Sequence, residues 1–115
     1  MVSKYKAQKR KNKMNATRVC VDGIFFHSKD ESIRYGYLRL LEKAGEIKDL
    51  ELQPKFTIFI NNIKVCDVIL DFKYFSLLDN QLHYEDFKGY DTDMSRLKRK
   101  LVEAQYNIKV EVVKK

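Results

Sequence analysis

The stretch VILDFKYFSLLDNQLHYEDFKGY, residues 68–90, holds the pattern on which the fold turns. Two runs rich in aromatic and β-branched residues flank the polar pair Asp79-Asn80, as expected of two strands joined by a loop. The spacing predicts one strand over roughly Ile63 to Phe75 and the next over Leu82 to Lys88, with Gly89 as its break. Side chains two apart share a strand face. Tyr84, Asp86 and Lys88 therefore look one way, while His83, Glu85 and Phe87 look the other. Asp86, not Glu85, becomes the lysine's partner. On the preceding strand Asp71 stands alone in an apolar run, where a carboxylate is costly to bury unless it is paired or binds a cation. Antiparallel pairing through the Asp79-Asn80 loop brings Asp71 towards Asp86 or Lys88, a register the sequence allows without fixing it.

Working outward, VCVDGIFF at 19–26 carries the turn pair Asp22-Gly23 between short apolar pieces, a hairpin signal. Ser28 opens a helix as N-cap with Glu31 three residues on, and Ile33, Tyr37, Leu40, Leu41 and Ala44 follow helical spacing up to Gly45. LELQPKFTIFI at 50–60 reads as a strand with its proline near the start, followed by the turn Asn61-Asn62. Beyond Gly89, Asp91-Thr92-Asp93 starts a second helix with Met94, Leu97, Leu101 and Ala104 as its apolar stripe, and IKVEVV closes the chain as a strand. The fold class expected is α/β: helix, three-strand meander, helix and strand, with a small mixed sheet flanked by helices.

Composition narrows the functional classes. With 115 residues, four glycines and one proline, the chain has the size and make-up of one globular domain. No apolar run approaches the ~20 residues that span a bilayer, and the charged N-terminus has no signal-peptide core. Cys20 and Cys66 lack metal-ligand spacing and suit a reducing cytoplasm, so the expected localisation is cytoplasmic. Residues 1–18 hold Lys4, Lys6, Lys9, Arg10, Lys11, Lys13 and Arg18 with no acid, and the rest of the chain balances 16 basic against 16 acidic residues. All of the formal +7 thus resides in a segment expected to be a disordered tail, suited to a nucleic-acid backbone through counterion release. A solubility tail or general polyanion affinity is the plainer alternative. Lipid is disfavoured, because no amphipathic apolar face accompanies the charges.

Two carboxylates with a lysine beside them suit hydrolysis of a phosphodiester. Hard oxygen donors hold Mg²⁺, and an ammonium orients the nucleophile or offsets charge in the transition state. Spacing alone does not establish this, since many solvated strands alternate Asp and Lys. Asp71, fourteen intervening residues and then Asp86-Phe87-Lys88 resemble the PD-(D/E)xK nuclease motif, and the element order is that superfamily's core order. Within it the chain resembles a mostly phage-encoded family, through VDGIFFHSKDE at 21–31, AGEIKDLELQPKF at 44–56, LDFKYF at 70–75 and EDFKGY at 85–90. The likeness runs over nearly all of residues 19–113. Leu70 stands where the superfamily often has proline before the first acid.

The resemblance implies a restriction-endonuclease-like domain over 19–115, with Asp71 and Asp86 as metal ligands, the carbonyl of Phe87 as a third, and Lys88 as the catalytic lysine. Glu31 matches the helical glutamate that completes the metal site in Holliday-junction resolvases, although its spacing equally fits a capping box with Ser28. Gln53 is a site-adjacent candidate or simply an edge-strand residue. Arg96, Arg99 and Lys100, at i, i+3 and i+4, form one basic face suited to substrate backbone or to solvent. His27 and His83 have no metal spacing, and Tyr35, Tyr84 and Tyr90 are expected to pack rather than stack on bases. The function implied is a Mg²⁺-dependent phage endodeoxyribonuclease, with Mn²⁺ as substitute, cutting branched or structured DNA in replication, recombination or packaging in the host cytoplasm. RNA remains an alternative substrate, and paired incisions would favour a homodimer. The competing class is a non-catalytic nucleic-acid-binding accessory protein on the same fold, against which the intact Asp71, Asp86 and Lys88 argue.

Overall fold

The computed structural model describes residues 19–114. The basic tail lies outside them, so the expectations for Lys4, Lys6, Lys9, Arg10, Lys11 and Lys13 do too. The fold is α/β, with a mixed sheet and two helices, and the chain divides into two units at Leu41/Glu42.

The first unit contains the hairpin β1 (Val19–Val21) and β2 (Ile24–Phe26), paired Val19 to Phe26. Asp22 and Gly23 carry φ of 54° and 77°, the left-handed pair that matches a two-residue turn to strand twist. Helix α1 (Lys29–Lys43) starts in this unit, and Ser28 Oγ accepts the Glu31 N–H at 3.1 Å, one of the donors a helix start leaves open. Tyr35 ties helix to hairpin: its hydroxyl donates to Asp22 Oδ2 at 2.9 Å and its ring lies 5.1 Å from that of Phe26. Burial and the Asp22 hydrogen bond push the Tyr35 phenol above its ordinary pKa. The expected apolar stripe is corrected here. Ile33, Tyr37 and Leu40 are exposed, whereas Glu31, Tyr35 and Leu38 are buried at i, i+4, i+7. Tyr35 supplies its own polar partners, so a face carrying polar atoms packs inward.

The second unit runs β3 (Ile47–Leu52), β4 (Lys55–Ile60), β5 (Ile63–Ile69), β6 (Phe72–Ser76), β7 (Gln81–Lys88), α2 (Asp93–Tyr106) and β8 (Val110–Lys114). Strands β3-β6-β7-β8 form a four-stranded sheet, antiparallel except for the parallel β7–β8 pair that α2 connects. Strands β4 and β5 form a separate antiparallel ribbon, turned by Asn61 and Asn62 at φ 51° and 65°. The first two strands expected from sequence are thus each split in two. Pro54 lacks an N–H, and Gln53 takes a φ of 53°, so the first strand bends there. Its partner bends opposite, at Leu70-Asp71. Hydrogen bonds cross the corner, from Gln53 N–H to the Asp71 carbonyl at 2.9 Å and from Leu70 N–H to the Pro54 carbonyl at 3.0 Å. One long hairpin therefore belongs to both sheets.

Ile58, Val68, Leu70, Tyr84, Val102 and Val110 form the core beneath this corner. Helix α2 is capped by Thr92, whose Oγ1 accepts the Ser95 N–H at 3.0 Å, and ends on Asn107 in the left-handed region. Its expected stripe holds only in part: Leu101 packs against the core, but Met94, Leu97 and Ala104 are exposed, and the buried residues are Arg99 and Val102. Arg99 can turn inward because Asp91 satisfies its guanidinium while its stem packs. Among the described residues no helix is long and apolar enough to cross a membrane.

Candidate functional site

The bend between β5 and β6 positions the first acid. Asp71 occupies it, with its N–H donating to the Glu85 carbonyl at 3.0 Å although Glu85 is already the ladder partner of Phe72. Two residues thus oppose one, the geometry by which a bulge re-aims a side chain. The Asp71 carboxylate turns to β7, where Oδ2 accepts the Phe87 N–H at 2.6 Å. This bond fixes Asp71 one residue from Asp86 and one from Lys88.

The alternation of β7 separates its two neighbouring acids. Glu85 is 1% exposed and accepts the Tyr74 hydroxyl at 2.6 Å, so it belongs to the packed face. Asp86 is 6% exposed on the other face, with Oδ2 3.5 Å from Lys88 Nζ and 3.7 Å from an Arg99 guanidinium nitrogen. Two cations therefore share one carboxylate oxygen. Arg99 is itself gripped by Asp91, through bonds of 2.9 and 2.6 Å, a fork that sets the guanidinium plane. The hydrogen bond from Arg99 holds the Asp91 carboxyl below the usual range, and the same bond raises Arg99.

Asp86, Lys88 and Arg99 open onto a cleft of about 180 Å³, lined also by Asp67, Ser95 and Lys98. Asp67 accepts the Thr57 hydroxyl at 2.7 Å and lies 3.1 Å from Lys64 Nζ, and these bonds keep its carboxyl below the ordinary value. The cleft thus combines an acid–lysine pair with further cations on a helix face.

Several expected site residues meet here. Asp86 and Lys88 line the cleft, Asp71 reaches β7 by its bond to the Phe87 N–H between them, and Gln53 bonds the Asp71 carbonyl through its backbone. Glu31 belongs to the other unit, buried in the first turn of α1 with its N–H capped by Ser28. The basic face proposed for α2 is not one surface. Arg99 points into the cleft, Lys100 is exposed, and Arg96 is half exposed and engages Asp91 and Asp93. Sequence reasoning missed Asp91, Asp67, Ser95 and Lys98. The Asp91–Arg99 link had a faint signal, an acid just before an N-cap with an arginine two turns on. Asp67 and Ser95 had none, because the β5 bend that brings them near is not written locally.

The oxygen donors of Asp71, Asp86 and the Phe87 carbonyl suit a hard divalent cation such as Mg²⁺, which binds through one or two carboxylates and keeps several waters. Among the described residues no group of three or more His, Cys, Asp or Glu side chains is gathered for a metal.

An α/β domain with a mixed sheet, two helices and an acid–lysine cleft where two strands bend is the class that fold and site define. The chain belongs to the family described as "Protein of unknown function (DUF1064)", whose model matches residues 11–115. No curated protein and no solved structure matches it.

Proposed function

We propose that this protein is a metal-dependent endonuclease that hydrolyses phosphodiester bonds in DNA, built on a restriction-endonuclease-like core. The observation that carries the proposal is the placement of Asp71, at the β5–β6 bend, on the Phe87 amide that separates Asp86 from Lys88, with Asp86 held 3.5 Å from the lysine. Asp71, Asp86 and the Phe87 carbonyl would hold Mg²⁺, and Mn²⁺ would substitute. The bound ion supplies Lewis acidity towards the phosphoryl oxygen.

The chain's own groups do the rest. Lys88 presents an ammonium beside Asp86, where it orients an attacking water and offsets negative charge developing on the phosphoryl group. Arg99, locked by Asp91, also holds Asp86 in place from α2 and adds positive potential. The Phe87 N–H fixes the Asp71 carboxylate. So small a domain leaves little surface for base contacts, which favours selection by DNA structure, as in branched or flapped substrates, over sequence reading. The phage origin and a role in recombination follow from the resemblance alone and belong to the same proposal.

The test is cleavage of labelled duplex, single-stranded, flap and four-way-junction DNA with Mg²⁺, Mn²⁺ or EDTA, alongside Lys88→Ala and Asp86→Asn proteins. Metal-dependent cutting lost in both variants supports the nuclease. Binding without cutting on every substrate and with both metals makes the accessory DNA-binding protein the better account.

A further inference from the structure

Among the described residues, one cation of the cleft, Lys98, has no neutralising partner. Asp86 serves Lys88 and Arg99, Asp91 serves Arg99, and Asp67 is taken by Lys64 and Thr57. Lys98, half-buried in the lining, has no ion pair or hydrogen bond among the described residues. Ser95 lies three residues before it on the same face of α2, and its Oγ accepts from the Thr92 hydroxyl, which leaves its own proton to donate into the cleft. A partly desolvated ammonium near two other cations is unfavourable until an anion joins it. The ligand that fits is a compact oxyanion able to accept from an ammonium and a hydroxyl together.

We propose that Lys98 and Ser95 seat a backbone phosphate of the DNA, next to the phosphodiester that faces Asp86 and Lys88. This rests on the endonuclease reading for the identity of the ligand and adds a specific contact that sets where the strand lies. In this division of labour Arg99 is a positioning residue for Asp86, and Lys98 touches substrate. Its loss acts on binding and KM, not on the rate of the chemical step.

The experiment is a walk of single methylphosphonates, which remove one phosphate charge at a time, along the cleaved strand. Affinity is measured by fluorescence anisotropy in EDTA, so that no cutting is required. Lys98→Ala is compared with wild type, Lys98→Arg and Lys109→Ala, the last on a lysine lining a different depression. Lys98→Ala should weaken binding about 5–10-fold and lower the salt slope by about 1, and Lys98→Arg should restore most of both. One methylphosphonate position should weaken wild type and leave Lys98→Ala unaffected. Equal losses in both proteins at every position overturn the phosphate seat. A positive walk with no cleavage on any substrate keeps the seat and removes the nuclease. Absence of all DNA binding overturns both.

Discussion

Glu85 and Asp86 are neighbours in sequence and opposites in role, and Tyr74→Phe tests that division. The Tyr74 hydroxyl donates to Glu85 Oε2 at 2.6 Å, where the acceptor residue is 1% exposed and Tyr74 itself is buried. Phenylalanine keeps the ring and its stacking on His83, at 5.3 Å between centroids, and removes the hydroxyl that donates to Glu85. A hydrogen bond accepted by a charged group contributes about 1.5–3 kcal/mol, and a buried acceptor left short of a donor retains its desolvation cost. About 2 kcal/mol is therefore expected. For a domain of this length, unfolding entropy makes 1 kcal/mol worth about 4–5 °C, so Tm should drop by about 8–10 °C. Thermal melts followed by circular dichroism measure this, and Glu85→Gln completes a double-mutant cycle in which the two losses are strongly non-additive. Metal-dependent cleavage per folded molecule should change little in Tyr74→Phe and vanish in Asp86→Asn. A Tyr74→Phe shift below about 2 °C, or strict additivity with Glu85→Gln, would refute the claim that this bond anchors the packed face.

Three further outcomes are expected. Asp71→Asn should abolish turnover while DNA affinity in EDTA holds within about twofold, because Asn still accepts the Phe87 N–H; a matching loss of affinity in anisotropy counts against a ligand role. Removing residues 1–18 deletes seven cations and should flatten the salt dependence of DNA binding by up to about 6 in log–log slope, and an unchanged slope dismisses the tail as a DNA arm. His83 sits between Glu111 at 2.5 Å and Asp79 at 2.8 Å, with Tyr74 stacked on it; partial burial opposes its charge, but these hydrogen bonds outweigh burial and raise its pKa. A raised folded-state value means the stabilisation is full below about pH 6.5 and is lost as pH climbs through the folded pKa, so wild-type Tm should fall over that climb more steeply than that of His83→Gln. Parallel curves for the two proteins exclude the clamp.

Local chemistry made much of the fold legible. Asp22-Gly23, Ser28, Asn61-Asn62, Thr92 and the run after Ile108 mark turns, caps and a strand that the structure contains, because each acts through its own backbone. The helix faces were not legible. In α1 the stripe of large apolar residues points to solvent and Tyr35 points inward; in α2 an arginine is buried and two apolar residues are not. Hydrophobicity alone ranks Ile33 above Tyr35 and Leu97 above Arg99, yet partners decide: Asp22 for the tyrosine, Asp91 for the arginine. Those partners lie eight or more residues away, beyond the reach of helical periodicity.

The site divides in the same way. Period-two alternation was enough to separate Asp86 from Glu85, since face assignment needs only the strand itself. It could not deliver the β5–β6 bend, because Leu70-Asp71 carries neither glycine nor proline. The bend is imposed from across the ladder, where Pro54 cannot donate and Gln53 adopts a left-handed φ, so the partner strand must turn to keep its bonds to both. The corner leaves Asp71 out of regular pairing, with its side chain on the Phe87 amide, and turns β5 so that Asp67 joins the wall carrying Ser95 and Lys98. A proline in one strand thereby sets the position of an acid in the next. Pro54→Ala, which returns an N–H donor to the corner, should therefore lower cleavage more than it lowers Tm, whereas a loss of stability with unchanged turnover would detach the site from the bend.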